Sequence, residues 1–274
     1  MQQLKQLDLC SGVGAGFPVA ATKLGGFELI GTAEIDSYCS GILARRFPGV
    51  HNYGDVQALI YSKGFGLRPG AIDLVSASPP CPPFSTEGQR RGADDRRDCF
   101  PAILKIIANY KPRFAIIENV TGLLTCPYRP GDERGYFRYV LQQLSSCGYD
   151  AEWLTLGSGH CDAPFIRERV LLVAVSRSIK LEWEGTATWT DQARGWIEEI
   201  ESDRTGASGK PGISRECLQT STWLDRPTRK QISIGVASGN GVIRTRRAAL
   251  GNALDWRVAA VGLRRVSYGS NAIF

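Results

Sequence analysis

The feature that most constrains this chain is a regular alternation of two kinds of segment across residues 4–175. Short apolar runs rich in β-branched and aromatic residues are typical of buried strands, whereas the segments between them repeat apolar residues three and four positions apart, as helices do. The predicted strands are Leu4–Leu9, Phe27–Ala33, Ile72–Ala77, Phe114–Ile117, Glu152–Leu156 and Arg169–Val175. The predicted helices are Pro18–Leu24, Tyr38–Phe47, Phe100–Asn109 and Tyr136–Leu144. Strands that alternate with helices predict an α/β fold with a doubly wound, mostly parallel sheet.

Three unusual clusters directly follow predicted strands. A glycine-rich turn, Cys10–Gly16, follows the first strand, and Pro80-Cys81 follows the third. Glu118-Asn119 follows the fourth. Sheets of this kind bind ligands beyond the carboxyl ends of their strands, so we expect all three clusters to face one crevice.

The alternation weakens after Val175. Four tryptophans are scattered among Gly, Ser, Thr and Arg between residues 176 and 243, with little periodicity. A helical pattern resumes over Arg244–Val261. We therefore predict a main domain formed by residues 1–175 and 244–274, and a small inserted lobe over residues 176–243 whose core holds the tryptophans.

Composition fits either one large domain or one large domain with a small appendage. The 274 residues are 43% hydrophobic and 22% charged, which provides for a core and argues against wholesale disorder. The formal net charge of +6 permits a polyanionic partner. Between Arg204 and Leu250, nine basic residues accompany only two acids, Glu216 and Asp225. This stretch fits a phosphate-facing strip and equally well a solvated surface.

The cysteines and the hydropathy pattern exclude several classes of protein. None of the eight cysteines forms a C-x-x-C pair, so we expect no zinc site and no other metal. No window approaches about 18 consecutive apolar residues, and the N-terminus lacks the pattern of a signal peptide. We therefore expect no membrane partner, and a cytoplasmic protein with reduced thiols.

The glycine-rich turn and two strand-end acids suggest a cofactor that carries a nucleoside. Glycines let the backbone approach a ligand without a clash from Cβ. Glu34, after the second strand, is placed to accept hydrogen bonds from ribose hydroxyls, and Asp55 to accept one from an adenine amino group. Either acid alone is more often a surface group, so the inference depends on the combination.

The segment Ser78–Ser85 places four prolines around Cys81. Proline fixes the backbone and removes donors, and a rigidly presented thiol at a strand end suits nucleophilic catalysis. The alternative is a simple turn with an incidental cysteine.

Glu118, near such a thiol, could stay protonated through partial desolvation and donate to a ring nitrogen. The alternative for Glu118 is a surface or helix-capping acid.

Taken in order, these motifs resemble those of the cytosine-C5 DNA methyltransferase family. Asp8–Gly16 resembles its cofactor loop, and Glu34 with Asp36 its second acidic motif. The segments similar to its Pro-Cys, Glu-Asn-Val, Arg-x-Arg and Gly-Asn motifs are Pro80-Cys81, Glu118–Val120, Arg167–Arg169 and Gly251-Asn252. The resemblance covers nearly the whole chain.

The resemblance implies a Rossmann-like enzyme that moves a methyl group from S-adenosyl-L-methionine to cytosine C5 through a covalent Cys81–C6 intermediate, on a base flipped from double-stranded DNA. It implies as catalytic residues Cys81, Glu118, Arg167 and Arg169. It implies as cofactor-binding residues Asp8, Cys10, Ser11, Gly12, Val13, Gly14, Glu34, Ile35, Asp55, Val56, Pro80, Asn252 and Ala253. It implies as substrate-binding residues Ser85, Arg97, Asn119, Arg226 and Arg229, the last two in a target-recognition region at 176–243.

The sequence departs from the family at some positions and leaves alternatives open. Cys10 stands where many members have a phenylalanine that stacks on adenine, and Pro82 replaces a frequent glutamine. The same chemistry on transfer RNA, and a catalytically silent nucleic-acid-binding protein, remain alternatives, although an intact Cys81, Glu118 and Arg167 argue against the second. We expect a monomer, and the resemblance allows a cognate restriction endonuclease as a partner.

Overall fold

The computed structural model describes residues 3–60, 66–85, 89–157, 159, 167–179, 188–205 and 254–269. Its strands are β1 (Leu4–Leu9), β2 (Phe27–Ala33), β3 (Leu74–Ala77), β4 (Phe114–Val120), β5 (Tyr149–Gly157) and β6 (Glu168–Ser176). Its α-helices are α1 (Phe17–Leu24), α2 (Ser37–Arg46), α3 (Val56–Leu59), α4 (Phe100–Tyr110), α5 (Tyr136–Ser146), α6 (Trp189–Thr205) and α7 (Trp256–Gly269). Single 3-10 turns lie at Gly92–Asp94 and Thr121–Thr125. None of these described helices combines the length and the apolar character needed to cross a membrane.

The six strands form one sheet in the order β2-β1-β3-β4-β6-β5. The first four strands of that order are parallel, and β6 runs antiparallel to both β4 and β5. The prediction of a doubly wound, mostly parallel sheet is confirmed. Because β6 is reversed, its beginning lies at the same edge of the sheet as the carboxyl ends of β1, β3 and β4.

Helices cover both faces of the sheet, and the side chains of β4 pack alternately against the helices of one face and of the other. Phe114 and Ile116 of β4 belong to a buried cluster with residues of α1, α6 and α7. Ala115 and Ile117 belong to a second buried cluster, with residues of α4 and α5. Successive side chains of a strand point to opposite faces, so the continuous apolar run of β4 is a strand buried on both sides.

Some predicted boundaries were wrong. The last helix was predicted over Arg244–Val261. Among the described residues, Leu254 and Asp255 are not helical, and α7 begins at Trp256 and continues to Gly269; the part predicted over residues 244–253 lies outside the described residues. The side chain of Asp255 accepts a hydrogen bond from the backbone nitrogen of Arg257 (3.0 Å), which satisfies a donor of the first turn and starts the helix there. β4 extends past Ile117 to Val120 because it pairs with β6 throughout.

Helix α6 was missed because its tryptophans were assigned to an inserted lobe. The sequence carried a signal for it: Thr188 accepts a hydrogen bond from the backbone nitrogen of Asp191 (3.2 Å), as in a capping box. Trp189 is buried with residues of α7, and Gln192 accepts a hydrogen bond from Arg265 of that helix (2.8 Å). Its described part therefore packs on the main sheet, whereas most of the predicted lobe over residues 176–243 lies outside the described residues.

Candidate active site

A cleft of about 310 Å³ opens at the edge of the sheet where β1, β3 and β4 end and β6 begins. Clefts of this size are typical of small-molecule sites. The predicted site residues that line it are Asp8, Cys10, Ser11, Gly12, Val13, Glu34, Pro80, Cys81, Glu118, Asn119, Arg167 and Arg169. The three strand-end clusters therefore face one crevice, as the sequence predicted. The wall also includes Asp36, which the resemblance placed with Glu34 in the second acidic motif, and other residues for which the sequence predicted no role in the site: Phe17, Pro18, Cys39, Ser78 and Leu254.

The glycine-rich turn is built from left-handed backbone. Cys10, Gly12 and Gly14 have φ angles of 54°, 54° and 69°, a region that glycine adopts without strain. A Cβ on Gly14 would lie 2.7 Å from the ring of Phe47 and 2.8 Å from Leu43, so α2 packs too closely there for a side chain. A Cβ on Gly12 would meet no atom within 4 Å. The turn thus packs against α2 on one side and leaves open space on the other.

Glu34 closes this turn from the neighbouring strand. Its carboxylate accepts hydrogen bonds from the backbone nitrogens of Gly12 (2.7 Å) and Asp36 (2.8 Å). Burial raises the pKa of Glu34, and these two donors oppose that rise. The side chain of Asn52 bonds both the backbone nitrogen (2.9 Å) and the carbonyl oxygen (3.0 Å) of Glu34. Asn52 was missed by the sequence analysis, since its role depends on a contact 18 residues away.

Asp8 lies beneath the turn and is almost fully buried. Its carboxyl oxygen accepts a hydrogen bond from the hydroxyl of Ser76 on β3 (2.5 Å), and Ser76 accepts one from Gln6 (2.8 Å). Burial raises the pKa of Asp8 to about 7, against the smaller opposing effect of Ser76. Between about pH 4 and pH 7, Asp8 therefore keeps a proton that an ordinary aspartate has lost.

Cys81 is held on a rigid loop. The backbone nitrogens of Phe84 and Ser85 both donate to its carbonyl oxygen (2.9 Å each). The ring of Phe84 is fully buried and packs on Phe100 (5.4 Å) and Tyr136 (4.6 Å between ring centroids). The apolar anchor and the prolines together fix where the thiol is presented.

Asn119 supports this loop from β4. Its side-chain nitrogen donates to the carbonyl oxygen of Pro79 (3.1 Å), and its side-chain oxygen accepts from the backbone nitrogen of Val120 (2.9 Å). The residue is almost fully buried. The amide is thus engaged with the Cys81 loop, and the substrate contact that the resemblance implies for Asn119 stays a prediction.

Glu118 and Arg169 form a buried ion pair. The Arg169 Nε and the Glu118 Oε1 are 2.7 Å apart, and each side chain is only 9% exposed. Burial raises the pKa of Glu118, and the positive charges of Arg169 and Arg167 limit the rise. Burial and the neighbouring Arg169 lower the pKa of Arg167, while Glu118, Cys81 and Asp255 act in the opposite direction. The carboxyl group, the thiol and two guanidinium groups therefore share one electrostatic environment.

In the segment after the Cys81 loop, Gly92 packs closely against the backbone of neighbouring segments. Its backbone nitrogen donates to Pro83 (3.2 Å), and its φ is 53°. A Cβ there would lie 2.5 Å from the carbonyl oxygen of Tyr128 and 2.7 Å from that of Pro127. Two backbone oxygens leave no flexible atom to move aside, so this position requires glycine.

We expect Gly92→Ala to lower the free energy of unfolding by about 2 kcal/mol or more, through left-handed strain plus the clash. Gly131→Ala is the matched control: its φ is 80°, but nothing lies within 4 Å of its Cβ position. The control should lose about 1 kcal/mol from strain alone. Urea unfolding of the two variants measures the difference, and equal losses would show that the contact at Gly92 is unimportant.

The remaining predicted residues lie elsewhere. Ile35 is 73% exposed, and Val56 is buried in the core beside α4. Asp55 caps α3 by accepting from the backbone nitrogen of Gln57 (2.8 Å). Arg97 is paired with Asp95 (2.7 Å) and interacts electrostatically with Cys81. Gly14 and Ser85 adjoin the cleft-lining segments, and four predicted residues lie outside the described ones: Arg226, Arg229, Asn252 and Ala253.

Comparison with known proteins identifies the family. Residues 4–247 match the family model described as C-5 cytosine-specific DNA methylase. The chain belongs to this family. Methyltransferases of the family use S-adenosylmethionine as methyl donor.

Relatives of the methylase family agree with this assignment. The type II methyltransferase M.NgoMIV of Neisseria gonorrhoeae is 30% identical over 69% of this chain and 56% of its own length. The type II methyltransferase M.NaeI of Lentzea aerocolonigenes is 31% identical over 80% of this chain and 51% of its own length. The chain therefore spans about half the length of these relatives. The crystal structure of the S. pombe Dnmt2 methyltransferase matches with a TM-score of 0.60 over the full length of both chains, at 16% identity, which supports the fold alone.

Proposed function

We propose that this chain transfers a methyl group from S-adenosylmethionine to carbon 5 of cytosine in double-stranded DNA, with Cys81 as the nucleophile. The observation that carries the proposal is that Cys81, Glu118, Arg167 and the glycine-rich turn line one cleft. Membership of the cytosine-specific methylase family supports the same reaction.

The cofactor side of the cleft has the features that S-adenosylmethionine needs. The open space beside Gly12 and the carboxylate of Glu34 suit a nucleoside with a ribose diol. We propose that the glycine-rich turn, Glu34 and the exposed Ile35 at its edge hold the cofactor, with Pro80 at the opposite wall. When bound, the cofactor supplies an electrophilic methyl group on a sulfonium. Asp55 and Val56 do not line the cleft. They would therefore support cofactor binding indirectly, by positioning the segment that follows Asn52.

The residues near Cys81 fit the activation of a cytosine ring. Attack of the Cys81 sulfur on C6 forms an S–C6 bond and shifts the ring electrons toward C5, which then becomes nucleophilic. Glu118 would assist by holding a proton at N3, for which a raised pKa is suited. After methyl transfer, Glu118 would take back the N3 proton and solvent would accept the C5 proton. The electrons of the C5–H bond then form the C5–C6 double bond as the S–C6 bond breaks and Cys81 leaves as a thiolate.

Arginines would position the carboxyl group and the DNA. Arg169 fixes the Glu118 carboxyl through the 2.7 Å ion pair, which makes Arg169 a positioning residue. Arg167 lines the cleft, interacts electrostatically with Glu118 and Cys81, and would contact the target nucleotide. Arg97, with Ser85 on the Cys81 loop, would contact the flanking backbone, where guanidinium groups bind phosphates.

We propose that the recognition of the target sequence lies within residues 176–243. Because the described part of α6 packs on the main sheet, we narrow this role to residues 206–243, which include Arg226 and Arg229. These arginines would contact phosphates or base edges. A cognate restriction endonuclease acting on the same site, and a monomeric state, complete the proposal.

Bisulfite sequencing tests the activity directly. Plasmid DNA is isolated from a methylation-deficient host that expresses the chain, with an empty vector as the control. Protected cytosines in one short recurring context would establish both the reaction and its recognition sequence. Unprotected DNA from cells that contain folded protein able to bind S-adenosylmethionine would contradict the DNA substrate and favour an RNA substrate or a silent binder.

The role of Glu34 predicts a selective loss of cofactor affinity. We expect Glu34→Ala to weaken S-adenosylmethionine binding by about 10–100-fold, because a charged hydrogen-bond acceptor at the turn is lost. Glu28→Ala, an exposed acid near the other end of β2, should leave the affinity unchanged. Calorimetry with cofactor and with DNA compares the two ligands. A larger loss for DNA than for cofactor would reject this role for Glu34.

A further inference from the structure

One face of α2 packs against the glycine-rich turn. The residues of this face recur three and four positions apart, as one side of a helix requires, and end with the residue that caps it. They are Cys39, Ile42, Leu43, Arg46 and Phe47. Val13 and Ala15 of the turn form a buried cluster with Cys39 and Ile42, and Gly14 lies closest to Leu43 and Phe47. Consecutive residues of the turn therefore contact the same helix face.

Arg46 is the charged member of this otherwise apolar face. Its Nη1 donates a hydrogen bond to the carbonyl oxygen of Val13 (2.8 Å), and its guanidinium carbon lies 5.9 Å from the centre of the Phe47 ring. Burial lowers the pKa of Arg46 to about 10, so the side chain is still cationic at neutral pH. Partial burial of a charge is unfavourable unless hydrogen bonds compensate for it, and the Val13 carbonyl supplies one.

The hydrogen bond acts on the cleft from outside it. Val13 lines the cleft and is only 2% exposed, whereas Arg46 does not belong to the cleft lining. On the neighbouring residue, the carboxylate of Glu34 accepts from the backbone nitrogen of Gly12 (2.7 Å). Glu34 precedes α2 and Arg46 ends it, so side chains from the two ends of one helix hold adjacent residues of the turn.

We propose that Arg46 is a positioning residue for cofactor binding, which with Glu34 fixes the backbone of the glycine-rich turn in the conformation that the cofactor meets. The restraint on the turn does not depend on the proposed function. Its effect on S-adenosylmethionine does depend on it, because that effect assumes that the cofactor lies on this turn.

The conformation of the turn explains why it needs such a restraint. Gly12 and Gly14 both have left-handed φ angles, and glycine has more conformational freedom than any other residue. Without the Arg46 hydrogen bond, the Val13 carbonyl would lose a donor and the glycines on either side could turn toward water. The cofactor would then have to order the turn when it binds, which weakens its affinity.

Hydrogen exchange of the cofactor-free chain tests the restraint. The amides of Ser11, Gly12 and Gly14 are all hydrogen-bonded within or beside the turn, so their exchange rates report its opening. In Arg46→Met, we expect the peptide that covers the turn to exchange about tenfold faster, while peptides from β4 exchange as in the wild type. Arg45→Met is the matched control, because Arg45 lies in the same last turn of α2 but is exposed.

Cofactor affinity and methyl-transfer kinetics test the positioning role. By calorimetry, we expect Arg46→Met to weaken S-adenosylmethionine binding by about tenfold. The KM for the cofactor should rise by a similar factor, whereas kcat and the KM for DNA should stay within about twofold of the wild type. Arg46→Lys keeps a cationic donor and should lie between the wild type and Arg46→Met. Arg45→Met should match the wild type.

The two measurements separate the failures. Unchanged exchange of the turn in Arg46→Met, or faster exchange that extends equally to β4, would overturn the local restraint. Faster exchange of the turn with unchanged cofactor affinity would overturn the positioning role. If the wild type does not bind S-adenosylmethionine, the proposed function and the positioning role both fail, while exchange still decides the restraint. If Arg46→Met does not fold, Arg46→Gln, whose shorter side chain also loses the contact, decides by the same criteria.

Discussion

Replacing Cys81 by serine is expected to reduce methyl transfer by about 10⁴-fold or more, the scale on which removal of an enzyme nucleophile acts. A serine hydroxyl is a far weaker nucleophile than a thiol, and the described site offers it no dedicated base. The Phe84 anchor and the backbone hydrogen bonds to the Cys81 carbonyl do not involve the sulfur. Cys81→Ser should therefore keep its melting temperature and bind S-adenosylmethionine within about twofold of the wild type.

Single-turnover transfer of a labelled methyl group to DNA measures the loss, and Cys147→Ser serves as the control for thiol removal in general. A DNA that contains 5-fluorocytosine adds an independent readout. Fluorine at C5 cannot leave as a proton does, so the wild type should remain covalently attached to the base, whereas Cys81→Ser should form no adduct. Near-normal transfer by the serine variant would refute the covalent mechanism.

Replacing Arg169 by methionine is expected to lower the free energy of unfolding by about 3–5 kcal/mol near pH 8, because the buried Glu118 would lose its directly paired positive charge. The pair is 2.7 Å apart and nearly excluded from solvent. Arg177→Met is the matched control, since the Arg177–Asp150 pair has the similar distance of 2.8 Å but is largely exposed. An exposed pair of this kind contributes less than about 1 kcal/mol.

The loss should depend on pH in a defined direction. Burial already raises the pKa of Glu118 above its ordinary value of 4.5, and removal of Arg169 raises it further because a stabilising positive charge is lost. A carboxyl group whose pKa is higher in the folded than in the unfolded state stabilises the folded state at pH values below its unfolded-state pKa. This stabilisation is lost as the pH rises through the folded-state pKa. Arg169→Met should therefore be least destabilised near pH 4.5 and lose stability as the pH rises above it.

Urea unfolding of Arg169→Met across this pH range measures both effects. The double variant Glu118→Gln/Arg169→Met should recover much of the stability at pH 8, because it removes the buried charge together with its partner. A loss for Arg169→Met no greater than that for Arg177→Met, or one that does not change with pH, would contradict the importance of the buried pair.

The position of α6 shows where the sequence was misleading. The start of the helix could be predicted from Thr188 and Asp191. The surface on which the helix packs could not, because the burial of Trp189 depends on α7, more than sixty residues later. The limits of β4 depended in the same way on a partner strand. Local patterns report on local structure, and long-range packing decides which faces are covered.

The sequence by itself determined the order of strands and helices, the placement of three functional clusters at strand ends, and Cys81 as the candidate nucleophile. Those features follow from periodicity and from residues whose backbone or chemistry is distinctive, such as the glycines of the first turn and the prolines around Cys81. Only the tertiary structure decided which residues contact each other across the sheet. Antiparallel pairing sets Val120 opposite Arg169 and Glu118 opposite Leu171, which makes Glu118 and Arg169 diagonal neighbours on one face of the sheet. Contacts between residues so distant in sequence depend on strand register and packing, which no local pattern encodes.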